Sequence, residues 1–251
     1  LELANCNLKV AEVNELARAM AAGAALTSVV LDENELTATK IKYKGESYEQ
    51  IEQIDADLSG FTEFCSSLKS STIVSLSLRK CYLGPQALDL LADAIKLIGA
   101  IAHLALGSNP IGDKAMIPLL DTLKDIPLIS FDISKTNCGV STASKLAELL
   151  TDETKFRGAL TSVNCLNNPL GQAVQILIKV FEETPRLRTL CGLEEGVEQI
   201  DWSKSGKGPA DVALLAADLK AGRAIGAIAH LALGSNPIGD KAMIRLLDTL
   251  K

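Results

Sequence analysis

Aromatic residues are scarce in this sequence. Phe, Tyr and Trp make up only 4% of the 251 residues, whereas apolar residues make up 47% and 40 residues are leucine. A single deep core usually uses large rings to fill irregular space. The apolar residues are therefore expected to lie in many thin, similar layers, which is the composition of a repeat protein.

Three other features are missing. Lys and Arg total 25 against 31 Asp and Glu, for a net charge of −6, so the chain lacks the basic surplus that attracts nucleic acid or an anionic membrane. No apolar run reaches the roughly 18 residues of a membrane span, which predicts a soluble protein without membrane insertion. The six cysteines show no paired spacing, which favours a reducing, cytoplasmic location.

The sequence repeats itself at two levels. Residues 98–124 recur at 225–251 with a single change, from Pro118 to Arg245. Each copy of this block contains a shorter pattern that recurs about every 28 residues along the chain and is followed by Ala and Leu at helical spacing. In the first copy the pattern consists of Ile101, Leu104, Leu106, Asn109, Ile111 and Gly112.

This pattern resembles the ribonuclease-inhibitor-like class of leucine-rich repeats. The resemblance covers nearly all of the chain and implies an α/β solenoid, or horseshoe, with a parallel inner β-sheet, outer α-helices and about eight repeats. We expect residues 1–251 to form a single solenoid that is a segment of a longer chain. For function, the resemblance implies a surface that binds proteins and names no partner.

One position of the repeat, just after the strand, carries Asn or Cys in most repeats, and Thr136 or Ser205 in the other two. Side chains there are expected to turn inward and bond backbone groups of neighbouring repeats, so the cysteines among them are interpreted as structural. With no Cys-x-x-Cys and only two histidines, a zinc site or another metal site is not expected, and no cofactor is predicted. This structural ladder comprises Cys6, Asn34, Cys81, Asn109, Asn168 and Asn236.

The repeat spacing breaks at two places. Residues 38–57 are interpreted either as an insertion that forms a hairpin over Lys40 to Tyr48, or as an additional short strand that contains Ile51 and Ile54. The second break, at residues 187–197, predicts an irregular loop.

No catalytic constellation is evident, and the chain is predicted not to be an enzyme. Asp132 and Asp201 are expected on the concave face about 10 Å apart, given one strand between theirs, and are interpreted as solvated carboxylates. The segment Gly206-Lys207-Gly208 fails the phosphate-loop pattern because neither Ser nor Thr follows the lysine.

The best prediction is a non-catalytic scaffold that binds a protein partner through the concave face or through the projection at 38–57. Two alternatives remain: a structural subunit of a large multiprotein assembly, and a GTPase-activating regulator of the same repeat family, whose active-site motif is not matched here. Aromatic residues in the projection and polar residues in the concave row are the candidate partner contacts. These candidates are Tyr43, Tyr48, Arg79, His103, Asp132, Asn164 and Asp201.

Overall fold

A computed structural model describes residues 1–23, 25–43, 49–224 and 228–250. Short strands and longer helices alternate along these residues, so the chain is of the α/β class. The helices are α1 (Val10–Ala21), α2 (Ser59–Leu68), α3 (Pro85–Ile95), α4 (Gly112–Leu123), α5 (Val140–Thr151), α6 (Lys155–Ala159), α7 (Ala173–Glu183), α8 (Pro209–Ala221) and α9 (Asp240–Thr249). The strands are β1 (Ser28–Val30), β2 (Lys40–Tyr43), β3 (Glu49–Gln53), β4 (Ser75–Ser77), β5 (His103–Ala105), β6 (Ser130–Asp132), β7 (Ser162–Asn164), β8 (Gln199–Asp201) and β9 (His230–Ala232).

Five strands form one parallel sheet in the order β1-β4-β5-β6-β7. They pair in a constant register, so the middle residues of neighbouring strands lie side by side. Each middle side chain is buried beneath the helices, because alternate residues of a strand point to opposite faces. These middle residues are Val29, Leu76, Leu104, Phe131 and Val163. The predicted α/β class and parallel sheet are confirmed, whereas the horseshoe shape and the count of eight repeats stay predictions.

Strands β8 and β9 pair with each other in a separate parallel sheet. Between the two sheets, residues 187–197 contain isolated bridges from Thr189 to Ser162 and from Cys191 to Asn164, and neither a helix nor a longer strand. The repeat that begins at 187 therefore continues the first sheet only through two isolated bridges to β7 and then leaves it.

Strands β2 and β3 form an antiparallel pair that is separate from the parallel sheet. Residues 44–48, and Tyr48 with them, lie outside the described residues. Ile51 is exposed on this pair, whereas Ile54 packs against the start of α3 at Gly84. The described part of the segment therefore forms an antiparallel pair, and its strands β2 and β3 pair with each other and not with the parallel sheet.

Asp55, the second residue after β3, fixes this strand pair to α3. The Asp55 carboxylate is buried and accepts hydrogen bonds from the backbone N–H groups of Gly84, Gln86 and Ala87, at 2.9 to 3.1 Å. These N–H groups at the first turn of a helix have no partner within the helix. A carboxylate brought from the inserted segment thus caps α3 and holds the insertion in place.

The ladder position is well represented by Asn109, which is 1% exposed. Its Nδ2 donates to the carbonyl oxygens of Leu78 and Leu106, and its Oδ1 accepts from the N–H groups of Cys81 and Leu83. One amide therefore satisfies four backbone groups in two adjacent repeats. Asn34, Asn168 and Asn236 likewise bond backbone groups of the preceding repeat.

The two ladder cysteines differ from each other. Cys81 is buried, and its thiol lies 3.1 Å from the carbonyl oxygen of Leu31 in the preceding repeat. Burial raises the pKa of the Cys81 thiol to about 12, which keeps it protonated and unreactive. Cys6 is exposed, and its thiol reaches only the Ala4 carbonyl oxygen of its own segment. Only the backbone N–H of Cys6 joins the ladder, as a donor to Asn34.

The single difference between the duplicated blocks lies within a helix. Pro118 stands inside α4, exposed on its outer side, where Arg245 stands in α9. A proline in a helix interior removes a backbone hydrogen bond and clashes with the preceding turn, at a cost of about 3 kcal/mol. We therefore expect Pro118→Arg to raise the free energy of unfolding by about 1 to 3 kcal/mol, measured by urea denaturation. Arg245→Pro should lower it, and an unchanged urea midpoint in both variants would contradict this account.

Candidate protein-binding groove

The side of the parallel sheet turned away from the helices, which we call the open sheet face, carries a groove of about 790 Å³. The first and third residues of each strand and the residues of the turns that follow form its floor. Small polar side chains predominate there, so a ligand can approach the strands closely. The floor includes Ser75, Ser77, His103, Ser130, Asp132, Ser162 and Asn164.

One row of the groove consists of the first residues of the strands. The constant register places Ser75, His103, Ser130 and Ser162 side by side. The His103 Nδ1 and the Ser130 Oγ lie 2.8 Å apart and share a hydrogen bond. The row therefore offers hydroxyl groups as donors and acceptors along the length of the sheet.

A charged line crosses the other side of the groove. The Arg79 Nε donates to the Asp132 Oδ2 at 2.6 Å, and the Arg79 Nη1 lies 3.7 Å from the Asp32 carboxylate. Asp32 also accepts from the Ser77 hydroxyl at 2.6 Å and from the Arg79 backbone N–H at 2.8 Å. One arginine therefore links carboxylates from β6 and from the turn after β1.

Gly107 makes this link possible. Arg79 reaches Asp132 across the repeat that contains Gly107, which follows β5. A Cβ atom at Gly107 would lie 2.9 Å from the Ser134 hydroxyl and 3.1 Å from the Asp132 carboxylate. The absence of a side chain there leaves room for the Asp132 side chain and the arginine that holds it.

The expectation of solvated carboxylates is wrong for Asp132, which is 8% exposed and bonded to Arg79. Asp201 is exposed, and hydrogen bonds from Ser203 lower the pKa of its carboxyl group. Because Asp201 belongs to β8 in the separate sheet, the two carboxylates do not face one groove. The sequence could not show this, since the broken repeat at 187–197 hides the change of sheet.

The rim of the groove comes from that broken repeat. Gly192, Leu193, Glu194 and Glu195 line one end, and the Arg188 Nη1 bonds the Glu195 carboxylate at 2.8 Å. The hydrogen bond from Arg188 lowers the pKa of Glu195. Sequence reasoning missed these residues because the repeat pattern fails there.

A buried carboxylate anchors the rim from behind. Asp218 of α8 accepts from the Thr189 hydroxyl at 2.5 Å and from the N–H groups of Leu190 and Cys191 at 2.8 and 3.1 Å. Burial raises the pKa of Asp218 although these hydrogen bonds oppose the shift. The irregular segment is therefore tied to α8 through its own backbone.

The remaining candidates divide between the groove and the hairpin. Asn164 lines the groove beside Gly192, where a Cβ would lie 2.7 Å from the Asn164 Cβ. Tyr43 is the last residue of β2, which belongs to the separate antiparallel pair, and Tyr48 is outside the described residues. The structure thus brings Arg79, His103, Asp132 and Asn164 into one groove, whereas Asp201 lies in the separate sheet of β8 and β9.

The described residues contain no group of three or more His, Cys, Asp or Glu placed to hold a metal ion. Within the same part of the chain, no helix is long and apolar enough to cross a membrane.

No family model matches the chain. A Bos taurus protein described as Tonsoku-like protein is 32% identical to it over 140 residues, which is 53% of this chain and 10% of that protein. The match therefore spans about a tenth of the relative's length. Among solved structures, Leiomodin-1 Actin-Binding Site 2 (ABS2) aligns with a TM-score of 0.37 and 14% identity, over 70% of this chain and 76% of that one.

Proposed function

We propose that this chain is a non-catalytic scaffold that binds a protein partner through the open sheet face. The observation that carries the proposal is the groove of about 790 Å³, which combines hydroxyl groups, amides and both signs of charge over five strands. The residue pattern of ribonuclease-inhibitor-like leucine-rich repeats supports the same function. The buried thiols also fit a reducing compartment, and we place the protein in the cytoplasm.

The ion pairs of the groove favour binding over catalysis. Arg79 is engaged by Asp132 and lies close to Asp32, so it is not a free cation for a GTPase-activating role. His103 shares its Nδ1 with Ser130, and among the described residues no third group is bonded to the imidazole to orient it as the base of a nucleophilic triad.

The test compares a blocked groove with a matched change on the helical side. Ser130→Arg places a long side chain on the floor of the groove, whereas Ser66→Arg changes an exposed serine of α2. Proteins captured by the wild-type chain are identified by quantitative mass spectrometry, and the affinity of each is then measured by calorimetry. We expect Ser130→Arg to weaken the partner's affinity at least about tenfold and Ser66→Arg to leave it unchanged.

Equal affinity of the partner for both variants would refute binding at the open sheet face. Circular dichroism of each variant checks that the fold is retained. A direct GTPase assay on the same samples tests the regulatory alternative, because stimulated hydrolysis would contradict a purely binding role.

A further inference from the structure

A second groove lies on the helical side, at the N-terminal ends of α7, α8 and α9. It encloses about 400 Å³. Its walls are mostly small and apolar, and they comprise Val174, Pro209, Ala210, Ala213 and Ala242. We call it the α8–α9 groove.

Two basic residues line this groove. Lys241 and Arg245 are one helical turn apart on α9, and both are exposed. The lining includes no Asp or Glu, and neither cation makes an ion pair within the described part of the chain. The groove therefore carries two uncompensated positive charges on a chain whose net charge is −6.

The first duplicated block and the helix before it provide an internal comparison, although α3 and α8 themselves lie outside the duplicated block. Helices α3 and α8 both follow a glycine and begin with proline, so Ala210 and Ala213 of α8 correspond to Gln86 and Asp89 of α3. The corresponding place between α3 and α4 therefore carries Asp89 with Lys114, for a formal charge of zero. At this place the residue equivalent to Arg245 is the uncharged Pro118.

One difference between the duplicated blocks and two differences between the helices that precede them thus meet at one place. In the helix before the block, Ala210 and Ala213 stand where α3 has Gln86 and Asp89. These differences remove an acidic group and leave two shorter side chains on the wall of the groove. The third difference replaces Pro118 by Arg245 and adds a cation. Each of these differences makes the α8–α9 groove more suitable for an acidic ligand with an apolar portion, and the exchange of Pro118 for Arg245 is the single change within the duplicated block itself.

We propose that the α8–α9 groove binds an acidic segment of a protein partner, independently of the open sheet face. A carboxylate of the segment pairs with the Arg245 guanidinium, which can bind it through two parallel hydrogen bonds, and Lys241 adds a second charge. An adjacent apolar side chain packs on Ala210 and Ala213. The alanine wall suits a side chain, and the overall negative charge of the protein opposes docking on an anionic membrane.

The probe is a fluorescein-labelled peptide of Glu, Ala and Leu, compared with a peptide in which every Glu is Gln. Binding is followed by fluorescence anisotropy at low and high salt, since an exposed charge interaction weakens as salt shortens the Debye length. We expect one Glu peptide to bind per chain and the Gln peptide not to bind. Absence of binding by the Glu peptide, or equal binding of the two, overturns the proposal.

Variants then locate the site. Arg245→Gln should weaken binding about tenfold and Ala213→Asp should abolish it, because the second change restores the acidic residue of the first copy. Lys114→Gln is the matched control in the first copy and should have no effect. An effect of Lys114→Gln as large as that of Arg245→Gln, or full affinity in Ala213→Asp, overturns the proposal.

A gain of binding provides the converse test. The triple variant Gln86→Ala, Asp89→Ala, Pro118→Arg gives the first copy the features of the second, and we expect the number of bound peptides per chain to rise from one to two. An unchanged number overturns the proposal.

The groove-blocking variant Ser130→Arg should bind the peptide normally, and loss of binding there contradicts a separate site. Binding to phosphatidylserine vesicles in place of the peptide also overturns it.

Discussion

Replacing Asn109 with leucine is expected to lower the free energy of unfolding by about 1 to 3 kcal/mol. Leucine has a similar shape but neither donates nor accepts, so two N–H groups and two carbonyl oxygens that Asn109 bonds would lose their partner. The site is 1% exposed, and water cannot readily replace the amide. The difference in the free energy of unfolding is measured by urea denaturation monitored by circular dichroism.

The duplicated block supplies a matched control for this substitution. Asn236 stands at the same position in an identical local sequence and makes similar bonds to Trp202 and Leu233, yet it is only half-buried. We expect Asn236→Leu to lower the free energy of unfolding clearly less than Asn109→Leu does, because water can reach the backbone groups that lose their partner. An equal loss of unfolding free energy in both variants would show that burial of the backbone groups does not determine the size of the loss.

Gly60→Ala is expected to destabilise the protein by about 1 to 3 kcal/mol, because it overpacks the contact between α1 and α2. A Cβ at Gly60 would lie 2.2 Å from the carbonyl oxygen of Val10, which is a backbone atom and cannot turn aside. Helix α1 would have to move, which disturbs the buried face formed by Val13, Ala17 and Met20.

The control for this change is Gly158→Ala in α6. No atom lies within 4 Å of the added Cβ there, and alanine favours a helix more than glycine does. Thermal denaturation of both variants measures the two effects, and we expect Gly158→Ala to be neutral or slightly stabilising. A loss of stability as large as that of Gly60→Ala would argue against a specific contact between α1 and α2.

The repeat pattern was sufficient to predict the alternation of strand and helix. Residues such as Leu104 and Asn109 occupy the same positions in each repeat, and each interacts with equivalent residues one repeat away, so one unit describes its neighbours. The pattern also placed Arg79, His103 and Asn164 on one surface. It did not predict that Asp132 is buried, because its partner Arg79 lies 53 residues away and two strands across.

The sequence by itself determined the α/β class, the strand and helix order and the ladder, since these follow from a period that recurs about every 28 residues. Only the tertiary structure decided which contacts form where the period fails. It showed that Asp55 caps α3, that Asp218 anchors the broken repeat, and that Lys241 and Arg245 meet Ala213 at a groove. These contacts join residues that are not in equivalent positions of neighbouring repeats. A repeating sequence pattern relates only equivalent positions, so it cannot predict such contacts.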